Sequence, residues 1–292
     1  MKPSRSRRAL LASSTGLTTT LLAGCLTAGG SSSTQRITST QPGTQQVDDD
    51  SPISAVYLDE SDLVVELRSE PAVSELNLIG PDGSAFAHET VTRGANTVRI
   101  PLLDAKSFRF GEQHYTPGEH TLVSVSGEQT YRTRVNLEPS LLLVDVQVTL
   151  GEEGFSTGNL DVIIENVGSG PTWIHDIAYD GPHARSGDGV LNDDPYTPWL
   201  STPKEPEAQV LPPGVTRTFR SVQGPLLQSS RKEVTCESEP IQFEMRVGVA
   251  LVRNLFALLS VTPEGPVRQN LVYKTCGNAT VELEDSQEAP WD

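Results

Sequence analysis

Apolar residues recur at every second position in stretch after stretch of this chain, and almost nowhere is a helical spacing sustained. Leu63-Val64-Val65-Glu66-Leu67-Arg68 alternates, as do Thr97 to Leu102 and Tyr131 to Leu137, where Tyr131, Thr133, Val135 and Leu137 share one face. Successive side chains of a strand point to opposite sides, so a period of two predicts strands with one buried face. Pro81-Asp82-Gly83, Arg93-Gly94, Pro117-Gly118 and Ser126-Gly127 punctuate the pattern as turns. About seven short strands are expected between residues 51 and 139, enough for a small antiparallel sandwich.

A second alternating set opens near Leu143. Val144, Val146, Val148 and Leu150 are expected on one face, with Asp145, Gln147 and Thr149 on the other. Leu160 to Glu165 repeats the pattern. The apolar run Val247 to Val261 can be read two ways. Phe243, Met245, Val247 and Val249 alternate as in a strand, while Val252, Leu255, Phe256 and Leu259 stand at helical spacing. With strands on both sides, a hairpin turning near Arg253-Asn254 is the favoured reading. The expected fold is therefore all-β, with two immunoglobulin-like antiparallel β-sandwich domains at residues 51–139 and 140–284 and an acidic, frayed tail at 285–292.

Ahead of the sandwiches lies a different kind of chain. Lys2, Arg5, Arg7 and Arg8 precede a mildly apolar run from Ala9 to Ala23, the layout of a signal peptide over residues 1–24. The run is too short for a permanent span, about 22 Å as a helix against about 30 Å of hydrocarbon. Residues 26 to 50 follow, in which sixteen of twenty-five are Ser, Thr, Gly or Gln. Such a segment cannot bury enough surface to offset its ordering entropy and reads as a flexible linker, residues 25–50 including Cys25.

Four resemblances rest on particular residues. Ser6-Arg7-Arg8-Ala9-Leu10-Leu11 resembles a twin-arginine export motif, with Arg7 and Arg8 as the pair. Leu22-Ala23-Gly24-Cys25 is similar to the lipobox of lipoprotein precursors, which implies that Cys25 is lipidated and becomes the first residue of the mature chain. The two acyl chains so implied make a durable anchor where one would not. Tyr115 to Leu122 resembles the proline-glycine turn that leads into a late strand of immunoglobulin-like modules. Glu165-Asn166-Val167-Gly168, the later Leu211-Pro212-Pro213-Gly214 and the strand Thr216 to Val222 resemble the adhesion-related modules called CARDB, over roughly residues 141–222. The usual closing strand of that family is missing from the C-terminal third.

Charge excludes some partners. The net charge is −16, and loss of residues 1–24, with four basic residues and no acid, takes it to −20. That sign opposes nucleic-acid binding and docking on anionic lipid through a basic patch. An acidic chain with only five lysines resembles, together with this signal, the exported lipoproteins of halophilic archaea. High salt shortens the Debye length to about 3 Å at 1 M and so suppresses self-repulsion.

The three cysteines resolve once Cys25 is assigned to lipid. Cys236 and Cys276 then remain as a disulfide pair in an exported chain. Asn278-Ala279-Thr280 is a glycosylation sequon with Asn278 as acceptor.

Sites for chemistry are sparse. The polar loop Asp180 to Trp199 carries Asp180, His183, Asp188, Asp193 and Asp194, with His175 and Asp176 just before it. Clustered carboxylates on such a loop can bind Ca²⁺ through oxygen ligands, but the spacing is not that of an EF-hand, so a solvated loop is the favoured reading, a cation site the alternative, and no metal ligand is assigned. No His-Glu-x-x-His, Gly-x-Ser-x-Gly or phosphate-cradling loop is present, so no catalytic residue and no cofactor are assigned. His88, His114 and His120 are expected in surface roles, and Trp173 in the sandwich core.

The expected function is that of a non-enzymatic structural or interaction module, adhesion-like, anchored by lipid to the outer face of the cell membrane. An envelope protein or a glycan is the partner class. The alternatives are a substrate-capturing lipoprotein of a transport system, which usually needs two helix-rich α/β lobes, and a surface hydrolase on a sandwich scaffold.

Overall fold

The computed structural model describes residues 47, 50–69, 72–104, 114–149, 158–182, 190–192, 194–197, 199–222, 224–229, 233–236, 239–269, 271 and 273–288. All lie in one compact unit, Thr40–Asp292. Seven strands come first: β1 (Ile53–Asp59), β2 (Asp62–Leu67), β3 (Glu75–Ile79), β4 (Ala85–Thr90), β5 (Thr97–Pro101), β6 (Gly118–Ser126) and β7 (Gln129–Leu137). They form a three-stranded sheet, β1-β2-β5, and a four-stranded sheet, β4-β3-β6-β7. Every strand pairing in the two sheets is antiparallel. Leu63 and Val65 of one sheet and Leu76, Leu78 and Leu122 of the other are sealed from solvent in a shared core.

His120 departs from expectation. It stands on β6 in line with Leu122 and Ser124, and period two turns all three inward, leaving the imidazole fully buried. Its Nδ1 lies 3.1 Å from the Gly118 carbonyl oxygen. Burial lowers the imidazole below its ordinary pKa, against smaller upward influences from that hydrogen bond and from Asp82.

The second sandwich uses β8 (Leu141–Val148), β9 (Leu160–Asn166), β10 (Thr172–Asp180), β11 (Leu200–Thr202), a single helical turn α1 (Pro206–Gln209), β12 (Val210–Leu211) and β13 (Thr216–Ser221). The strands β14 (Gln228–Ser229), β15 (Ile241–Val249), β16 (Leu255–Gln269) and β17 (Tyr273–Glu288) complete it. Its sheets run β11-β13-β9-β8 and β12-β10-β15-β16-β17-β14. Phe219 from the first and Phe243 from the second are buried in the core between them, each worth roughly 1.5–3 kcal/mol relative to exposure.

The run around residue 250 folds as the hairpin β15–β16, with Val247 opposite Leu255. Asn254 closes it, its Oδ1 accepting the Val249 N–H at 2.9 Å. Two details differ from the sequence reading. A bulge between Leu143 and Asp145 interrupts the alternation of β8, so Leu143 and Val146 face inward while Val144 is 46 % exposed. The acidic stretch Asp285–Glu288, expected to fray, continues β17, because the start of β16 offers it a strand to pair with: Leu258 faces Asp285 and Leu255 faces Glu288.

The two sandwiches are fused at a joint built by the turn between β9 and β10. Asn166, fully buried, uses its whole amide. Its Nδ2 donates to the carbonyls of Gly170 and Leu211, both at 2.8 Å. Its Oδ1 accepts the N–H of Gly168 at 3.0 Å and of Ser140 at 3.3 Å. The Ser169 and Val167 N–H groups donate to the carbonyls of Glu138 and Ser140, each at 2.8 Å. The turn thus clamps the chain that joins β7 to β8.

Glycine is required where the backbones touch. A Cβ on Gly170 would stand 2.5 Å from the Tyr115 hydroxyl and 2.7 Å from the Leu137 carbonyl carbon, and one on Gly168 would collide with the backbone of Glu138 to Ser140. Tyr115 of the first sandwich donates its hydroxyl to the Pro171 carbonyl at 2.6 Å. Trp173, Val210 and Ala250 of the second sandwich belong to the first sandwich's core.

Candidate functional site

Cys25, Arg7, Arg8, His183, Asp188, Asp193 and Trp291 lie outside the described residues. Cys236 and Cys276 form a disulfide, their sulfurs 2.07 Å apart across a sequence separation of 40. Asn278 is exposed on β17, opposite Glu264 of β16. Among the described residues no helix is long and apolar enough to cross a membrane.

Two acids at this loop, Asp176 and Asp194, are taken up by local backbone and hydroxyl donors. Asp176, buried on β10, accepts the Ile177 N–H at 2.8 Å and the Asn192 N–H at 2.7 Å. Burial raises its carboxyl above the usual range, partly offset by those two donors. Asp194 accepts the Tyr196 N–H at 3.0 Å and the Thr197 hydroxyl at 2.7 Å. These are turn-forming bonds that shape the loop. Among the described residues no three His, Cys, Asp or Glu are grouped closely enough to hold a metal ion.

Of the loop's aromatic residues, Tyr196 serves the joint. His114 Nε2 lies 2.9 Å from the Tyr196 hydroxyl. Trp173 Nε1 donates to the Pro195 carbonyl at 2.8 Å. The Trp173 ring meets His114 edge-on at 6.2 Å between centroids. His88 bonds Asn77 across β3 and β4, Nδ1 to Oδ1 at 2.7 Å. Trp199 is 52 % exposed.

A different place has the form of a site. Beside the disulfide, where β8 ends and β15, β16 and β17 meet, is a cavity of about 450 Å³. Val148, Leu226, Ile241 and Phe243 supply apolar wall, and Thr149, Glu233 and Glu239 supply polar groups. Cys276 and Asn278 also line it. Thr149 was expected to face outward with Asp145 and Gln147. Past the bulge and the end of β8 it is instead 7 % exposed, with a hydroxyl oxygen that has no hydrogen-bond partner among the described residues. Gly158, at φ +102°, packs its backbone against Leu227 and the Thr275 hydroxyl nearby, where a Cβ would stand 2.9 Å from a Leu227 methyl carbon. Sequence reasoning missed this site because its walls come from widely separated stretches, and the two features it read there, the Cys276 pairing and the Asn278 sequon, carry no sign of a cavity.

The fold and these sites define an all-β protein of two fused antiparallel sandwiches, with a disulfide-bordered cavity in the second. No protein-family model matches the chain, and no curated protein is significantly similar to it in sequence.

Proposed function

We propose that this chain is an exported lipoprotein, held by Cys25 on the outer face of the cell membrane, whose two sandwiches act as a non-enzymatic interaction module for an envelope protein or glycan. The joint carries the reading. A presenting module must hold its binding loops in a fixed relation to its base. Here a fully bonded buried Asn166, the Tyr115–Pro171 hydrogen bond and Trp173 in the neighbouring core support a rigid coupling. Between Cys25 and β1 lies the linker rich in Ser, Thr, Gly and Gln, which as a random coil would set the module about 25–30 Å from the lipid.

Further parts of the proposal rest on single motifs. Arg7 and Arg8 direct export, and Asn278 on the exposed side of β17 accepts an N-linked glycan. The CARDB-like reading of the second sandwich is supported by the turn at Asn166, which does structural work in the joint.

Phase partitioning of the expressed chain in a detergent that clouds on warming tests the anchor. Wild type is expected in the detergent phase and Cys25→Ser in the aqueous phase or as an unprocessed precursor. A Cys25→Ser protein that is processed and still detergent-associated overturns the proposal. Affinity capture from solubilised membranes tests the role, with an envelope protein or glycan expected and a permease pointing to solute capture instead.

A further inference from the structure

We infer that the cavity beside the Cys236–Cys276 disulfide is a binding site for an amphiphilic cation, a small apolar body carrying an ammonium or guanidinium group. Its volume of about 450 Å³ falls in the range of small-molecule sites. The apolar wall, with Phe243 and Ile241 on β15 and Val148 and Leu226 beside them, suits a hydrocarbon or aromatic body. Thr149 adds an independent mark of a ligand, a buried hydroxyl in the lining with no partner among the described residues. Buried polar groups are ordinarily hydrogen-bonded, so this one is available to a guest.

The sign of the guest follows from the charges around it. Glu233 and Glu239 line the cavity while remaining exposed, which places carboxylates where a charged head can pair and still keep water. No Lys or Arg is among its described walls. Arg268 approaches from β16, its Nε 3.4 Å from where a Cβ on Gly277 would stand, without entering the lining. Arg231 and Lys232 lie outside the described residues. Cys236, which falls between the two glutamates in the chain, is tied to the lining residue Cys276 on β17.

This inference stands apart from lipidation, so it is tested on the full-length chain carrying Cys25→Ser, in salt that preserves its β-sheet circular dichroism. Calorimetric titration with phenylbutylammonium, phenylbutanol and phenylbutanoate varies the head on a constant body. The ammonium is expected to bind on the order of tenfold more tightly than the alcohol, a preference the size of a partly screened ion pair, and the carboxylate more weakly still. Glu233→Gln combined with Glu239→Gln should remove the ammonium's advantage and leave the alcohol unchanged. Ala279→Phe, which fills the lining, should abolish binding of all three. If the double substitution disturbs the circular dichroism, the two single substitutions carry the same test. Absence of binding at millimolar probe, equal affinities, a preference for the carboxylate, or an ammonium preference that survives both substitutions overturns the inference.

Discussion

Asn166→Ala should strike the joint harder than any other single polar deletion in it. The side chain is fully buried and makes four hydrogen bonds, to Gly170, Leu211, Gly168 and Ser140, at 2.8 to 3.3 Å. Truncation leaves two carbonyls and two N–H groups without this partner, although a carbonyl keeps any second bond it makes. At roughly 0.5–1.5 kcal/mol per bond, rising where a buried group is left unsatisfied, the cost is about 3–5 kcal/mol. Asn166→Asp separates hydrogen bonding from shape. The new carboxylate still accepts from Gly168 and Ser140, but it faces the carbonyls of Gly170 and Leu211 that formerly received an N–H.

Burial and those carbonyls should raise the folded-state pKa of the new carboxyl above its unfolded value of about 3.9. A raised pKa means that the protonated form favours folding, so the deficit is smallest below pH 4 and grows as pH rises through the folded-state pKa. Urea titration followed by tryptophan emission and far-ultraviolet circular dichroism reads both effects. Trp173 sits in the core shared across the joint, so loss of coupling should also make the two probes disagree. An Asn166→Ala protein within 1 kcal/mol of wild type, with coincident transitions, would refute the claim that this amide holds the turn on which the joint is built.

Other expectations follow from single features. Because burial lowers the His120 pKa below 6.5, the unfolded chain binds the proton first. Stability from this group is full above about pH 6.5 and falls below it, by at most about 1.4 kcal/mol per pH unit, and a His120→Leu protein should lose that slope in pH-dependent melting. Replacing Cys236 and Cys276 together by Ala opens a loop of 40 residues and should cost about 4 kcal/mol in denaturant titration. Unchanged stability there would mean that the unfolded chain is already constrained. With a net charge of −16 before loss of the four N-terminal basic residues, the thermal midpoint should rise steeply with added salt. A flat dependence between 0.1 and 2 M would contradict the halophilic reading.

Much of the fold is legible in the chain because period two is a local signal. β2, β5, β7, β9 and β13 stand where Leu63, Thr97, Tyr131, Leu160 and Thr216 open or join their alternating runs. The cysteine pair was legible by count. The bulge in β8 was hidden because nothing in Leu143-Val144-Asp145 distinguishes a bulged strand from a straight one. His120 illustrates the same limit: a period of two groups it with Leu122 but does not say which face is inside.

The joint was half readable. Asn166-Val167-Gly168-Ser169-Gly170 announces a turn, but its partners Ser140 and Leu211 are set by packing. The cavity was not readable at all. Thr149, Leu226, Glu233 and Ile241 meet because the end of β8 in one sheet packs near the β15-β16-β17-β14 end of the other, a juxtaposition set by tertiary packing.

The measurement closest to the central claim is intact and peptide mass spectrometry of the mature protein from membranes. The proposal predicts an N-terminal peptide that begins at Cys25 and carries the mass of a diacylglycerol thioether. A membrane-derived chain that still begins at Met1, or a mature chain with an unmodified Cys25, would contradict it.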